Sequence, residues 1–366
     1  MTKAKIDQQT RRRIMRTGLT ACDPELAWSG YTLFSPKFGS TVHIIDKQGI
    51  ELHRWETGLV GGEYGYLQPN GNLFYMGKDP KDHLGRIFPP WAIVRGGIMQ
   101  ELEPDGKIVW EYRDPAQHHD ARRTGDGGVV YLAIERVPKD LARQVKGGVR
   151  TQAGDPEMWS DAIIEVDSSG NRIWEWHTHQ HLDPDVDVLP SNQGRFEWTH
   201  SNTLVILDDN HLMISCRAIS QVLIIQKSTG DIVWRVGAPT VLQQHDPTEL
   251  PNGNILVFNN GTFKPQGGLP GSSVAEIDRQ TKEIVWEYSD RPAYNFFSPI
   301  ISGARRLPNG NTLITEGVFG RLFQVTPEKE VVWEYVSPHF VANHQGVENN
   351  EVFRAIPYEP REIPWL

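Results

Sequence analysis

The stretch PTELPNGNILVFNN (247–260), followed by VAEIDRQTKEIVWEY (274–288), decides the fold. Its first half is a strand that enters a Pro-Asn-Gly-Asn turn and leaves as a second, apolar strand. Its second half is an apolar strand, a polar turn and a strand that ends in tryptophan. Asn-Gly turns between alternating residues are the strongest short-range hairpin signal. The segment is therefore two β-hairpins in tandem, four antiparallel strands in all.

Both halves recur. Tryptophan-ending hairpins fall at 42–56, 99–112, 162–176, 222–236 and 322–335, with Trp55, Trp110, Trp174, Trp234, Trp286 and Trp333 as the six markers. The Gly/Asn hairpin recurs at 64–77, 120–133, 202–215, 303–316 and, more faintly, at 345–356. Six sheets of four antiparallel strands predict an all-β chain folded as a six-bladed β-propeller. The first tryptophan hairpin has no inner partner and the last inner unit has no following hairpin. Joined, with 29–36 as the remaining strand, they make the sixth blade from both termini and close the ring, which removes open sheet edges. The propeller is expected to span 29–366, with 1–28 as an N-terminal arm. The six tryptophans are expected to fill the gaps between blades.

Composition narrows the function. The chain has 366 residues and a net charge of -9, which argues against a nucleic-acid partner because phosphates are bound by basic patches. Two cysteines leave no disulfide framework or cysteine-based zinc site. No apolar run approaches the roughly 18 residues of a membrane helix. The start is basic but lacks an apolar core after RRR, so it is not a secretory signal and the expected location is cytoplasmic. The oligomeric state is left open between a monomer and a homo-oligomer.

In a propeller the strand before the Gly/Asn turn is innermost, and its first residues line one mouth of the central channel. Counting back eight residues from each turn glycine reaches Glu63, His119, His245 and Ser302. The same count from Asn210 reaches Asn202, with His200 two residues earlier; His344 lies near this level in the last, shortened unit. Arg217 follows the next strand of that blade. Polar channels need no function, but four imidazoles and an arginine at one level point to a site. The other histidines read differently. His177, His179 and His181 alternate along an expected loop, solvated or metal-binding, and His43 and His53 are expected at the surface.

At HHD (118–120), HSN followed by SCR (200–202, 215–217) and QHD (244–246), the chain resembles the arylsulfate sulfotransferases, six-bladed propeller enzymes that move a sulfuryl group between phenols. The resemblance covers roughly 30–356 as a repeat pattern, in a short form without the additional N-terminal β domain of the familiar, exported members. It implies that His245 is the nucleophile, that His119 protonates the departing phenolate, and that His200 and Arg217 hold the sulfuryl group. Asn202, Ser302 (in place of a threonine), His344, Glu63 and His118 are the expected substrate-binding residues, and no cofactor is implied. The chemistry suits these residue types: a neutral imidazole splits the transfer into two displacements, and cationic or amide donors hold the charged oxygens. The expected partner is an aromatic small molecule.

Two alternatives stand beside this. Iron or copper held by His119, His200, His245 and His344 would make an oxygenase, lyase or hydrolase acting on an aromatic compound in the same channel. Arg217 disfavours a cation there. A propeller can also be a non-enzymatic interaction platform.

Overall fold

The computed structural model describes residues 16–150, 157–264 and 268–366. Six sheets of four or five strands form in the order the repeats predict. From inner to outer strand, blade one is Gly61–Leu67, Leu73–Lys78, Gly97–Leu102 and Ile108–Arg113. Blade two is Gln117–Arg123, Val129–Arg136, Trp159–Val166 and Arg172–His177. Blade three is Ser201–Asp208, His211–Cys216, Gln221–Gln226 and Ile232–Gly237. Blade four is His245–Glu249, Ile255–Asn259, Ser273–Ile277 and Ile284–Tyr288. Blade five is Gly303–Arg306, Thr312–Glu316, Arg321–Val325 and Val331–Val336. Blade six takes its inner strand, Val352–Tyr358, from the C-terminal end and its others, Tyr31–Pro36, Thr41–Ile45 and Glu51–Glu56, from the N-terminal end. Tyr31 pairs with Tyr358 and Pro36 with Val352, so the ring closes by sheet hydrogen bonds.

Local chemistry explains the hairpins. Gly71, Gly127, Gly253 and Gly310 all sit at φ between 83° and 88°. Only glycine reaches that region at little steric cost. Each donates its N–H to a carbonyl three residues back, at 2.8–3.1 Å. The outer tryptophans do more than fill space. Indole Nε1 of Trp55, Trp174, Trp234, Trp286 and Trp333 each donates to a backbone carbonyl of the next blade, at 2.7–3.0 Å. The bond satisfies the one polar atom of a ring otherwise used for packing.

Each sheet is apolar on both faces, so the core is a set of six layers between blades rather than one centre. Met213, Ile224 and Val236 of blade three pack on Ile255, Val257 and Ala275 of blade four, and every other blade pair has a matching cluster.

Three placements differ from expectation. Gly18–Cys22, within the segment read as an arm, pairs with Val331–Val336 as a fifth, outermost strand of blade five; residues 1–15 of that segment lie outside the described residues. His43 is not at the surface but 1% exposed, with Nδ1 on Glu51 at 2.6 Å and its ring stacked on His339. Residues Thr178–His181 form a short helix rather than a loop. Among the described residues no helix is long and apolar enough to cross a membrane.

Candidate functional site

The inner strands do not enter the sheets smoothly. Register shifts fall between Gly61 and Gly65, between Ser201 and Thr203, between His245 and Thr248, and where Tyr131 and Ala133 face Ala121 and Gln117. Bulges re-aim side chains and concentrate beside active sites. At the same level His119, His200, Asp246 and Ser302 take left-handed backbone conformations, with φ of 48°, 49°, 55° and 89°. A non-glycine residue held there costs about 1–3 kcal/mol, and four of them gather at this end of the inner strands.

His245, 2% exposed, sets Nδ1 at 2.7 Å from Oδ1 of Asn260. Asn260 has no freedom to flip, because its Nδ2 donates to the carbonyls of Ser298 and Ile301 at 2.8 and 3.0 Å. Its oxygen must therefore accept, and His245 must carry its proton on Nδ1, leaving the lone pair on Nε2. Burial first, then the charge of Arg217, holds this imidazole well below the usual histidine range, against the Asn260 bond. His245 is neutral at physiological pH.

His119 and His200 stand edge to face, ring centres 4.9 Å apart. Nδ1 of His200 lies 2.9 Å from both carboxylate oxygens of the buried Glu197. Nδ1 of His119 meets Nδ1 of His118 at 2.7 Å, and Nε2 of His118 lies 3.2 Å from Oδ1 of the buried Asp161. Burial would raise the Asp161 carboxyl, but hydrogen bonds with His118, Thr199 and Ser201 outweigh it and hold the group ionised. Burial, then the neighbouring His200 and His118, holds His119 well below the ordinary range. No Nε2 of His119, His200 or His245 has a hydrogen-bond partner among the described residues. Arg217 hydrogen-bonds its backbone N–H to the carbonyl of His200 at 3.1 Å. Its guanidinium Nε is buried without a partner, and burial lowers its pKa against Glu197.

The other expected residues divide. Glu63, 2% exposed, is ion-paired with Lys37, whose Nζ lies 5.5 Å from the Phe353 ring; that ring is in turn 6.0 Å from His245 and 6.3 Å from His119. Asn202 is fully buried but committed to the fold: Nδ2 donates to the Gln244 carbonyl and Oδ1 accepts from Thr203. Ser302 likewise accepts the Gly317 N–H at 2.9 Å. His344 does not join the cluster. It is exposed on the tip of a hairpin of Val341–Ala342 and Glu348–Asn349, its ring 6.3 Å from Phe38, because the inner strand of blade six begins only at Val352. The expected four-histidine metal set thus lacks its fourth member. Among the described residues, two groups of three or more His, Cys, Asp or Glu bring ligand atoms within 4.8 Å of one another, and neither includes a channel histidine.

One step further along the axis, Arg354 fills the channel. It is 0% exposed and reaches Asp246 at 2.9 Å, Asp120 at 3.4 Å, Thr203 at 3.0 Å and the Asn202 carbonyl at 3.1 Å. Tyr64 donates to Asp120 at 2.7 Å, Arg122 reaches Asp120 at 3.1 Å, and Arg305 pairs with Asp246. All six blades meet in this layer, which forms the floor beneath the histidines. Sequence reasoning missed Asn260, Glu197, Asp161, Lys37, Phe353 and the floor. The aspartates were visible in HHD and QHD, but nothing in the pattern said which residue of each pair faced the floor.

The family model described as arylsulfotransferase (ASST) matches residues 95–338. No curated protein matches. Among solved structures, a protein of unknown function from Bacteroides caccae aligns at a TM-score of 0.54 and 13% identity, over 90% of this chain and 99% of that one. A streptogramin B lyase aligns at a TM-score of 0.48 and 13% identity, over 93% of each chain. At such identities the likeness to solved structures reaches the fold alone. The family match spans the blades that contribute His118, His119, His200, Arg217 and His245, and on it the chain belongs to the arylsulfotransferase family.

Proposed function

We propose that this chain transfers a sulfuryl group from an aryl sulfate to a phenolic acceptor, through a covalent intermediate on Nε2 of His245. The observation that carries this reading is Asn260: its pinned amide leaves His245 neutral with a directed lone pair in a buried, strained layer. That is the state a nucleophilic imidazole needs.

In the first half-reaction the Nε2 lone pair attacks sulfur, the N–S bond forms, and the S–O bond to the aryl oxygen breaks. Arg217, with its unpartnered Nε, and His200, oriented by Glu197, hold the sulfuryl oxygens as charge builds on them. The departing phenolate needs a proton. His119 is buried and its pKa is depressed, so it does not serve as a free imidazolium. The Asp161–His118–His119 chain supplies the alternative. With Nδ1–H of His118 donating to Nδ1 of His119, and the proton between Nε2 of His118 and Asp161 kept in place, the proton of His119 sits on Nε2. Passing the Nε2 proton to the phenolate draws the His118 proton across to His119. The phenol leaves, and His119 is left with a lone pair on Nε2. In the second half-reaction this lone pair takes the proton of the acceptor phenol as its oxygen attacks sulfur, and the N–S bond breaks. The protons run back along the chain and His245 is restored.

The test is incubation with 4-nitrophenyl sulfate and a phenol. The proposal expects nitrophenol release and sulfation of the acceptor by the unaltered chain, and neither by His245→Ala. Release that survives His245→Ala, or no release with any phenol, would overturn it.

A further inference from the structure

A second histidine cluster lies away from the channel, on the outer part of blade two. Glu135 is the penultimate residue of the second strand, His177 ends the fourth, and His179 lies in the short helix that follows. Strand pairing explains why they meet. Glu135 is opposite Ser160, and His177 is opposite Ala162, on the strand between them. Paired residues share a face, so Glu135 and His177 look the same way across two small side chains. His177 then places Nδ1 at 2.6 Å from one carboxylate oxygen of Glu135, and His179 places Nδ1 at 2.8 Å from the other. One ligand atom from each of the three lies within 4.8 Å of the other two.

We infer that Glu135, His177 and His179 form a binding site for a divalent first-row transition ion, of which Zn²⁺ is the natural occupant. Two imidazoles and one carboxylate are a recognised zinc donor set; bonds of about 2.0–2.2 Å in a tetrahedral shell set donors about 3.4 Å apart, so the two hydrogen-bonded pairs open by less than about 1 Å to admit the ion. Nε2 of His177 faces Oε1 of Glu175 at 3.6 Å, too long for a hydrogen bond but placed to close into the outer-shell contact such sites use. The side chains are 14–25% exposed, so the ion has a path in, and water can complete its shell. His181, the third histidine of the run, is excluded because its ring stacks on Trp176 at 4.7 Å. An ion here would tie the helix Thr178–His181 to the sheet at the end of blade two where the channel histidines also lie. It would be separate from the transfer chemistry.

The experiment titrates the full chain, stripped with a chelator, with ZnCl₂ alone, followed by calorimetry and elemental analysis, with Co²⁺ absorption as a spectroscopic check. The expected result is one tightly held ion per chain, ligand-field bands of low-symmetry Co²⁺, and a metal-dependent rise in Tm. His179→Ala and Glu135→Gln are expected to lose about 100-fold or more in affinity, and Glu175→Gln about 10-fold. His119→Ala and His200→Ala keep the affinity of the unaltered chain. The metal-free Tm of each variant checks that the fold persists. Zinc binding unchanged by His179→Ala and Glu135→Gln, binding lost instead in the channel variants, or no binding at all, would overturn the inference; in the last case the three residues are a hydrogen-bonded trio only.

Discussion

His119 and Asp120 are neighbours in the chain, and so are His245 and Asp246, yet each pair is divided between two layers of the same channel. The aspartates enter the floor, where Asp120 accepts from Tyr64, Arg122, the Leu204 N–H and Arg354, and Asp246 from Arg305 and Arg354. The histidines enter the layer above, where each ring spends one nitrogen on a protein partner and keeps the other free. Both layers are polar, buried and assembled from the inner strands of the ring. One is cross-braced by ion pairs, with only Nε of Arg354 left without a partner among the floor atoms named, and the other keeps a free ring nitrogen on each histidine. The contrast teaches that polarity in a propeller channel says little, whereas directed, unused donors and acceptors say a great deal.

The largest effect should come from His245→Ala, which removes the proposed nucleophile: transfer falls about 10⁴-fold or more with little change in Tm. Steady-state rates with 4-nitrophenyl sulfate, beside a melting curve, separate the two quantities. Arginine substitutions set the layers against each other. Arg354→Met removes the one cation that Asp120 and Asp246 share and should destabilise the fold by about 3–5 kcal/mol in a denaturant titration. Arg217→Met should leave stability within about 1 kcal/mol and lower kcat/KM by about 10²–10³-fold. If the two variants behave alike in both measurements, the division into layers is wrong. His119→Ala should cost about 10²-fold with phenyl sulfate and distinctly less with the nitrophenyl ester, whose phenolate leaves with less need of a proton.

The ring was legible because its repeats are local: a hairpin turn, a tryptophan and their spacing lie within one window. Counting from the turns also anticipated that His119, His245 and, with an offset, His200 lie together at one end of the channel. It failed where the inner strands bulge. An extra residue changes which side chain faces the axis, so Asn202 is spent on the Gln244 carbonyl, while Ser302, ahead of an inner strand that pairs without a shift, is spent on the Gly317 N–H. It failed again for His344, whose strand starts later than its homologous position. The partners that tune the site come from elsewhere. Asn260 lies beyond the turn that follows His245, Asp161 is across the sheet from His118, and Lys37 belongs to blade six while its partner Glu63 is in blade one. No local pattern encodes those pairings.

Acid should expose the smallest difference. Burial, then His339, pushes His43 down to about 4, and His119 and His245 are held well below their unfolded value of about 6.5. The unfolded chain then binds more protons than the folded one as pH falls below about 6.5, so stability is full above that value and drops on acidification. Denaturant titrations from pH 7.5 to 4.5 should show this slope, shallower in His43→Gln; a pH-independent midpoint would contradict the buried neutral state of these rings.

The central claim is that His245 Nε2 carries the group in transit. Rapid quenching of the chain after mixing with 4-nitrophenyl sulfate, without acceptor, followed by peptide mass mapping under alkaline conditions, tests it directly. The account expects one sulfuryl adduct per chain, on the peptide containing His245, discharged on adding a phenol. Nitrophenol released at full rate with no adduct at His245, or an adduct on another side chain that turns over as fast, would contradict it.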